Sequence, residues 1–152
     1  MNNRVTLLQA KRLRRLGYNQ PCSTYHCASG NQIRVDKPMN WNAEKRQFWY
    51  DNSNEHQCTS IPKCDDVIDW LRKNHNIFVD TTSVFYMTPT GLPMFFVGAY
   101  VCEGEAPYVL IRTKRLKYKD IFAAKRDIIA KCLTYIESLS KCKKKSAQSG
   151  SL

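Results

Sequence analysis

The 152-residue chain contains no apolar run of about 20 residues, the length a helix needs to cross a bilayer. Its first residues, MNNRVTLLQAKRLRRLG, have neither the uninterrupted apolar region nor the small-residue cleavage site of a secretion signal. Both absences predict a cytoplasmic protein with no membrane partner. A G-x-S-x-G elbow that would present a nucleophilic serine is missing, and the six glycines are scattered at turns instead of forming a phosphate-cradling loop. Asp65 and Asp66 adjoin, so on a helix they point about 100° apart and cannot face each other as acid and base. No internal repeat is found. The expectation is a protein that is not an enzyme and needs no cofactor, although a cysteine beside His26, His56 or His75 stays open as a nucleophile with its base.

Tight C-x2-C pairs are absent as well. Seven cysteines, an odd number, suit buried thiols or metal ligands in a reducing compartment better than a disulfide framework. Cys22, His26 and Cys27 form one group and His56, Cys58 and Cys64 another, and structural zinc takes four such ligands from two groups. A zinc-stabilised module held by Cys22, Cys27, His56 and Cys58 is therefore one reading. Separate thiols are the other, because the C-x4-C and C-x5-C spacings do not aim two sulfurs at one ion and Cys64 falls in a helix stripe. Cys102 and Cys132 occupy apolar phases and read as core fillers. Cys142 lies in a basic tail and reads as exposed.

The best-specified stretch present is Ser60 to Val79, SIPKCDDVIDWLRKNHNIFV. Cys64, Val67, Ile68 and Leu71 recur at helical spacing, with Trp70 at the border of their stripe. Thr59 or Ser60 can cap the first turn, and Pro62 suits a position whose N–H has no helical partner. Asp65, Asp66 and Asp69 lie towards the positive end of the helix dipole, and Arg72, Lys73 and His75 towards the negative end. Asn74 and Asn76 can adopt the left-handed stop, after which Ile77, Phe78 and Val79 read as strand.

Before it, Thr6 to Leu16 reads as a helix with a Thr6/Gln9 capping box and Gly17 at its end. Leu13 and Leu16, with Leu7 or Ala10, make its apolar side. Residues 18 to 54 suit short strands and loops, with a hairpin of 23–28 and 32–35 and a third strand at 47–50; DNSN at 51–54 reads as a turn. Trp41, Phe48, Trp49 and Tyr50 beside Lys45 and Arg46 could stack bases or simply fill a core. After the central helix the strands 77–88, 94–102 and 108–113 form an antiparallel meander, its connections being short. The apolar run Met94 to Val97 predicts a central strand covered on both faces or by long side chains. A long last helix should span about Tyr118 to Ser140, with Ile121, Ala124, Ile128, Cys132, Tyr135 and Leu139 in one row.

Charge is uneven along the chain. Residues 1–20 carry five basic and no acidic groups, residues 21–110 seven and ten, and residues 111–152 twelve and three, for a total of +11. If the basic ends share a face, Lys11, Arg12, Arg14 and Arg15 with Arg112, Lys114, Arg115, Lys117 and Lys119 would contact the phosphates of DNA or RNA. If they lie apart, the charge serves solvation.

The pieces GYNQPC, NWN, IPKCDDVIDWLRKNHNIFV and YKDIFAAKRDIIAKCLTYIE, in that order, resemble a group of small proteins of phages and integrated mobile elements of gut anaerobes. The resemblance covers most of residues 6–137 and is carried best by Trp70, Leu71, Arg72 and His75. It implies a compact α+β fold and a mobile-element setting, and no activity. Cys64 and the basic tail after residue 140 depart from the group.

Together these readings predict a single α+β domain over residues 1–140, with a three-stranded meander and a small hairpin packed with three helices, the last one long, and a disordered basic tail over 141–152. The function expected is a non-enzymatic accessory protein of a phage or mobile element. It would act as a protein-interaction module, meeting a protein partner or a second copy, with nucleic-acid association through the basic groups as the alternative and the zinc module as the third.

Overall fold

The computed structural model describes residues 2–27, 31–48, 51–84, 94–102, 109–112 and 120–150. It is an α+β structure with antiparallel sheets and a long C-terminal helix. In order, the elements are α1 (Leu7–Arg15), β1 (Cys22–His26), β2 (Gln32–Met39), a 3-10 turn (Trp41–Ala43), β3 (Lys45–Phe48), β4 (Asp51–Gln57), β5 (Thr59–Ser60), α2 (Cys64–His75), β6 (Ile77–Val84), β7 (Met94–Val101), β8 (Val109–Arg112) and α3 (Ile121–Ser149). The chain divides into two compact units, Met1–Trp70 and Leu71–Leu152. The boundary falls inside α2.

In the first unit the capping box forms as expected. The Gln9 N–H donates to Thr6 Oγ1 at 3.3 Å and the Thr6 N–H to Gln9 Oε1 at 3.0 Å, which satisfies two otherwise orphaned donors. Gly17 ends the helix at φ 87°, a conformation open to glycine without strain. Ala10 and Leu13 form the buried side of α1. The segment before α1 is pinned by Val5 N–H to the Pro62 carbonyl and Cys64 N–H to the Asn3 carbonyl.

Two expectations about this unit fail for identifiable reasons. Thr59 and Ser60 do not cap α2; they are β5, paired with Tyr25 and His26 of β1, and the helix starts beyond Pro62 at Cys64. The residues DNSN do not make a turn. They open β4, which pairs antiparallel with β3 through Lys45↔Gln57, Arg46↔His56 and Phe48↔Asp51. Pairing along a whole strand outweighs the weak strand preference of Asp, Asn and Ser. The other sheet has the order β2-β1-β5, which leaves Pro38 on an edge strand, where its missing N–H breaks no central ladder.

In the second unit β7 is the central strand of a sheet ordered β6-β7-β8. Alternation separates the faces: Ile77, Val97, Ala99 and Val101 are buried, whereas Phe78 and Tyr100 are exposed. α3 packs on β7 and β6 and buries Ala124, Ile128, Ile129, Cys132, Leu133 and Ile136. Asn76 closes α2 at φ 53°, as expected for a helix-stopping asparagine. The helix α3 does not stop near Ser140. Residues 141–149, expected to be disordered, continue it as far as Ser149. Neither Pro nor Gly interrupts before Gly150, and Lys, Ala and Gln are good helix formers. The expected turns at 89–93 and 103–107 lie outside the described residues.

Candidate functional site

The basic residues predicted to contact phosphates divide by unit. Lys11 and Arg15 are exposed on α1, and Arg12 is half-buried. Arg14 is structural: its guanidinium donates to Thr59 Oγ1 at 3.1 Å and to the Cys58 carbonyl at 3.4 Å, bracing α1 on β5. Arg112 belongs to β8 in the second unit, and Lys114, Arg115, Lys117 and Lys119 lie outside the described residues.

Arginine does similar structural work elsewhere in the first unit. Arg4 donates to the Ile61 carbonyl at 2.8 Å and to Ser23 Oγ at 3.2 Å. Arg46 lies over the rings of Trp41 and Tyr25 at 4.9 and 5.4 Å, and those rings stack 4.0 Å apart. Trp41 is 2% exposed, so it fills a core and offers no base-stacking surface. Its indole N–H donates to the Cys22 carbonyl at 2.7 Å. Asn42 beside it bonds the Tyr18 carbonyl at 2.7 Å and the Ser60 N–H at 2.9 Å. Tyr18, Cys22, Trp41 and Asn42, drawn from GYNQPC and NWN, thus meet as structural glue. Of the aromatic group, Trp49 and Tyr50 lie outside the described residues.

The predicted zinc ligands are brought together only in part. Cys22 donates its thiol to the Thr24 carbonyl at 3.1 Å, and along a strand it stands about 16 Å from Cys27. Cys27 and Cys58 do meet. The Cys58 thiol hydrogen-bonds to Cys27, and the Cys27 thiol points to the His56 carbonyl at 3.4 Å. Among the described residues no group of three or more His, Cys, Asp and Glu could hold a metal ion. Burial above all, and then the bond to Cys27, pushes the Cys58 thiol up to about 12. Burial raises Cys132 to about 12 and lifts Cys22 as well. Such thiols stay protonated at neutral pH and are poor nucleophiles. Burial lowers the pKa of His75, which keeps its ring neutral.

One surface feature was not singled out from the sequence. Phe78 and Tyr100 are direct cross-strand neighbours on the outer face of the β6-β7-β8 sheet, 43% and 39% exposed. The next pair on that face is Asp80↔Gly98, and Gly98 is itself in register with Arg112. Among the described residues, nothing lies within 4 Å of where a Gly98 side chain would start. The signal was there: Ile77-Phe78-Val79-Asp80 and Ala99-Tyr100-Val101 alternate at period two, so burying the aliphatic set turns both aromatic rings outward.

Electrostatics favour this unit for anions. Residues 71–152 carry 14 Lys and Arg against 6 Asp and Glu, net +8, whereas residues 1–70 carry 10 against 7, net +3. Four lysines, Lys141, Lys143, Lys144 and Lys145, stand on the part of α3 that is exposed throughout. No protein-family model, curated protein or solved structure matches the chain, so function rests on its own geometry.

Proposed function

We propose that the outer face of the β6-β7-β8 sheet stacks the bases of single-stranded nucleic acid, as part of a non-enzymatic accessory protein of a phage or mobile element. The observation that carries this reading is the exposed Phe78/Tyr100 cross-strand pair on the outer sheet face. Aromatic rings on an open antiparallel sheet are a general way to hold unpaired bases, each stack contributing about 1–3 kcal/mol. Asp80, two residues from Phe78 on the same strand face, offers a carboxylate to an exocyclic amino group of a base. The surplus of lysine and arginine in this unit supplies long-range attraction for the phosphates. The mobile-element setting rests on the resemblance of the quoted motifs alone.

A second reading, protein interaction, is favoured by α3. From Ser138 to Gly150 the helix is exposed on every side, Leu139 included at 42%. A helix without a buried stripe gains little from packing, and a second copy would supply the missing face. Light scattering separates this reading: self-association that Leu139→Lys abolishes supports it, and a monomer at all concentrations removes it.

The test of the first reading is fluorescence anisotropy with a labelled mixed-sequence single strand and its duplex. The single strand should bind more tightly, and its affinity should fall with salt by a log–log slope of about 0.7 per phosphate contacted. Equal or stronger duplex binding would sink base stacking, as would no binding at about 50 mM salt, where phosphate attraction is strong.

A further inference from the structure

We infer that Cys27 and Cys58 form a two-thiol oxidation site that closes to a disulfide between β1 and the β4–β5 connection. The register places them opposite one another. His26 pairs with Thr59 and Tyr25 with Ser60, so the next antiparallel position sets Cys27 against Cys58. Ile61 N–H bonds the Thr24 carbonyl, which makes Thr24/Ile61 a hydrogen-bonded pair. Alternation from there makes Cys27/Cys58 a non-hydrogen-bonded pair, and the Cys58 N–H accordingly turns away to the Glu44 carbonyl at 2.9 Å. Pairs of that kind bring Cα atoms to about 4.5 Å, at the short end of the range a disulfide spans. Both side chains belong to one buried cluster with Cys22, Tyr25 and Trp41.

The chemistry balances with a peroxide as oxidant. Cys27, whose thiol donates to the His56 carbonyl, gives up its proton and attacks one peroxide oxygen. This forms a sulfenic acid and releases water. Cys58, slow to react as a protonated thiol but held opposite the sulfenic acid, then passes its proton to the sulfenic hydroxyl as its sulfur bonds to Cys27, and that hydroxyl leaves as a second water. Two thiols and one hydrogen peroxide give one disulfide and two waters.

Access is the controlling step, because both side chains are fully buried. β5 has two residues and lies at the edge of its sheet, and the Arg14 bonds to Cys58 and Thr59 hold it closed. Arg14 is thus a latch on the thiol pair.

The experiment treats the full-length protein with limiting hydrogen peroxide, alkylates the remaining thiols and maps the tryptic peptides without reduction. The expected product is 2 Da lighter and joins peptide 16–34, LGYNQPCSTYHCASGNQIR, to peptide 47–63, QFWYDNSNEHQCTSIPK, in wild type and in Cys22→Ser alike. Cys27→Ser should abolish the link, and Arg14→Ala should speed its formation several-fold. The inference is overturned if peroxide oxidises Cys142 or Cys102 while Cys27 and Cys58 remain alkylatable on unfolding. It is equally overturned if the link persists in Cys27→Ser or is lost in Cys22→Ser. Wild type and Cys22→Ser decide the matter even if Cys27→Ser does not fold.

Discussion

The two units use the same residue types for opposite purposes. In the first, Arg4 and Arg14 satisfy backbone carbonyls, and Arg46 covers the stacked, buried rings of Trp41 and Tyr25 from the surface. In the second, a regular sheet needs no such bracing, and Phe78, Tyr100 and the lysines of α3 are left outside. The difference follows from backbone supply. Short strands with a bulge between Cys22 and Thr24 leave carbonyls unpaired, and a buried carbonyl must find a donor. A continuous eight-pair ladder between β6 and β7 satisfies its own carbonyls.

The contrast breaks first, and furthest, at Trp41. Trp41→Ala removes a buried ring, its stack on Tyr25 and its bond to the Cys22 carbonyl, and should cost about 3–5 kcal/mol in urea unfolding. A loss under about 1 kcal/mol would mean the ring is not a core element. Next is the pair of arginine roles. Arg14→Ala should cost about 1–3 kcal/mol by removing a charged donor from the Thr59 hydroxyl and the Cys58 carbonyl, whereas Lys11→Ala on the same helix should change stability by less than about 0.5 kcal/mol. Equal effects would erase the distinction between bracing and surface charge.

These side chains also mark how far the sequence could be read. Caps and stops were legible because they are local: Thr6 with Gln9, Gly17 and Asn76 each act within a few residues. The antiparallel meander was legible from its short connections. The role of Arg14 was not, since the carbonyl it serves is 44 positions away and is exposed to need only by the β4–β5 geometry. The sequence grouped Cys27 and Cys58 only as zinc ligands; their strand-like pairing was hidden because β5 was read as a helix cap. At the other end, the helical run beyond Ser140 was missed because charge was weighed above helix propensity.

Two smaller effects sharpen the picture. His75 is kept neutral by burial, so its folded pKa lies below the ordinary value while the unfolded chain takes up the proton more readily. Stability should therefore be present at neutral pH and be lost as pH falls through the ordinary histidine range, and His75→Gln should flatten that loss in a denaturation series from neutral to mildly acidic pH. A dependence unchanged by the substitution would assign it to other groups. The Tyr18 hydroxyl, buried with no hydrogen-bond partner among the described residues, should be dispensable. Tyr18→Phe should leave the urea midpoint unchanged or raise it slightly, because the ring keeps its 5.5 Å contact with Trp70 while an unsatisfied group is removed. A clear fall would reveal a bond to that oxygen.

The most direct measurement for the central claim is the affinity of a labelled single strand for wild type and for the double variant Phe78→Ala, Tyr100→Ala, at one fixed salt concentration. Base stacking predicts a loss of about 2–6 kcal/mol in binding, against a stability change within about 1–2 kcal/mol by urea unfolding. Unchanged affinity in a folded double variant would contradict the account and leave the sheet face without a role in nucleic-acid association.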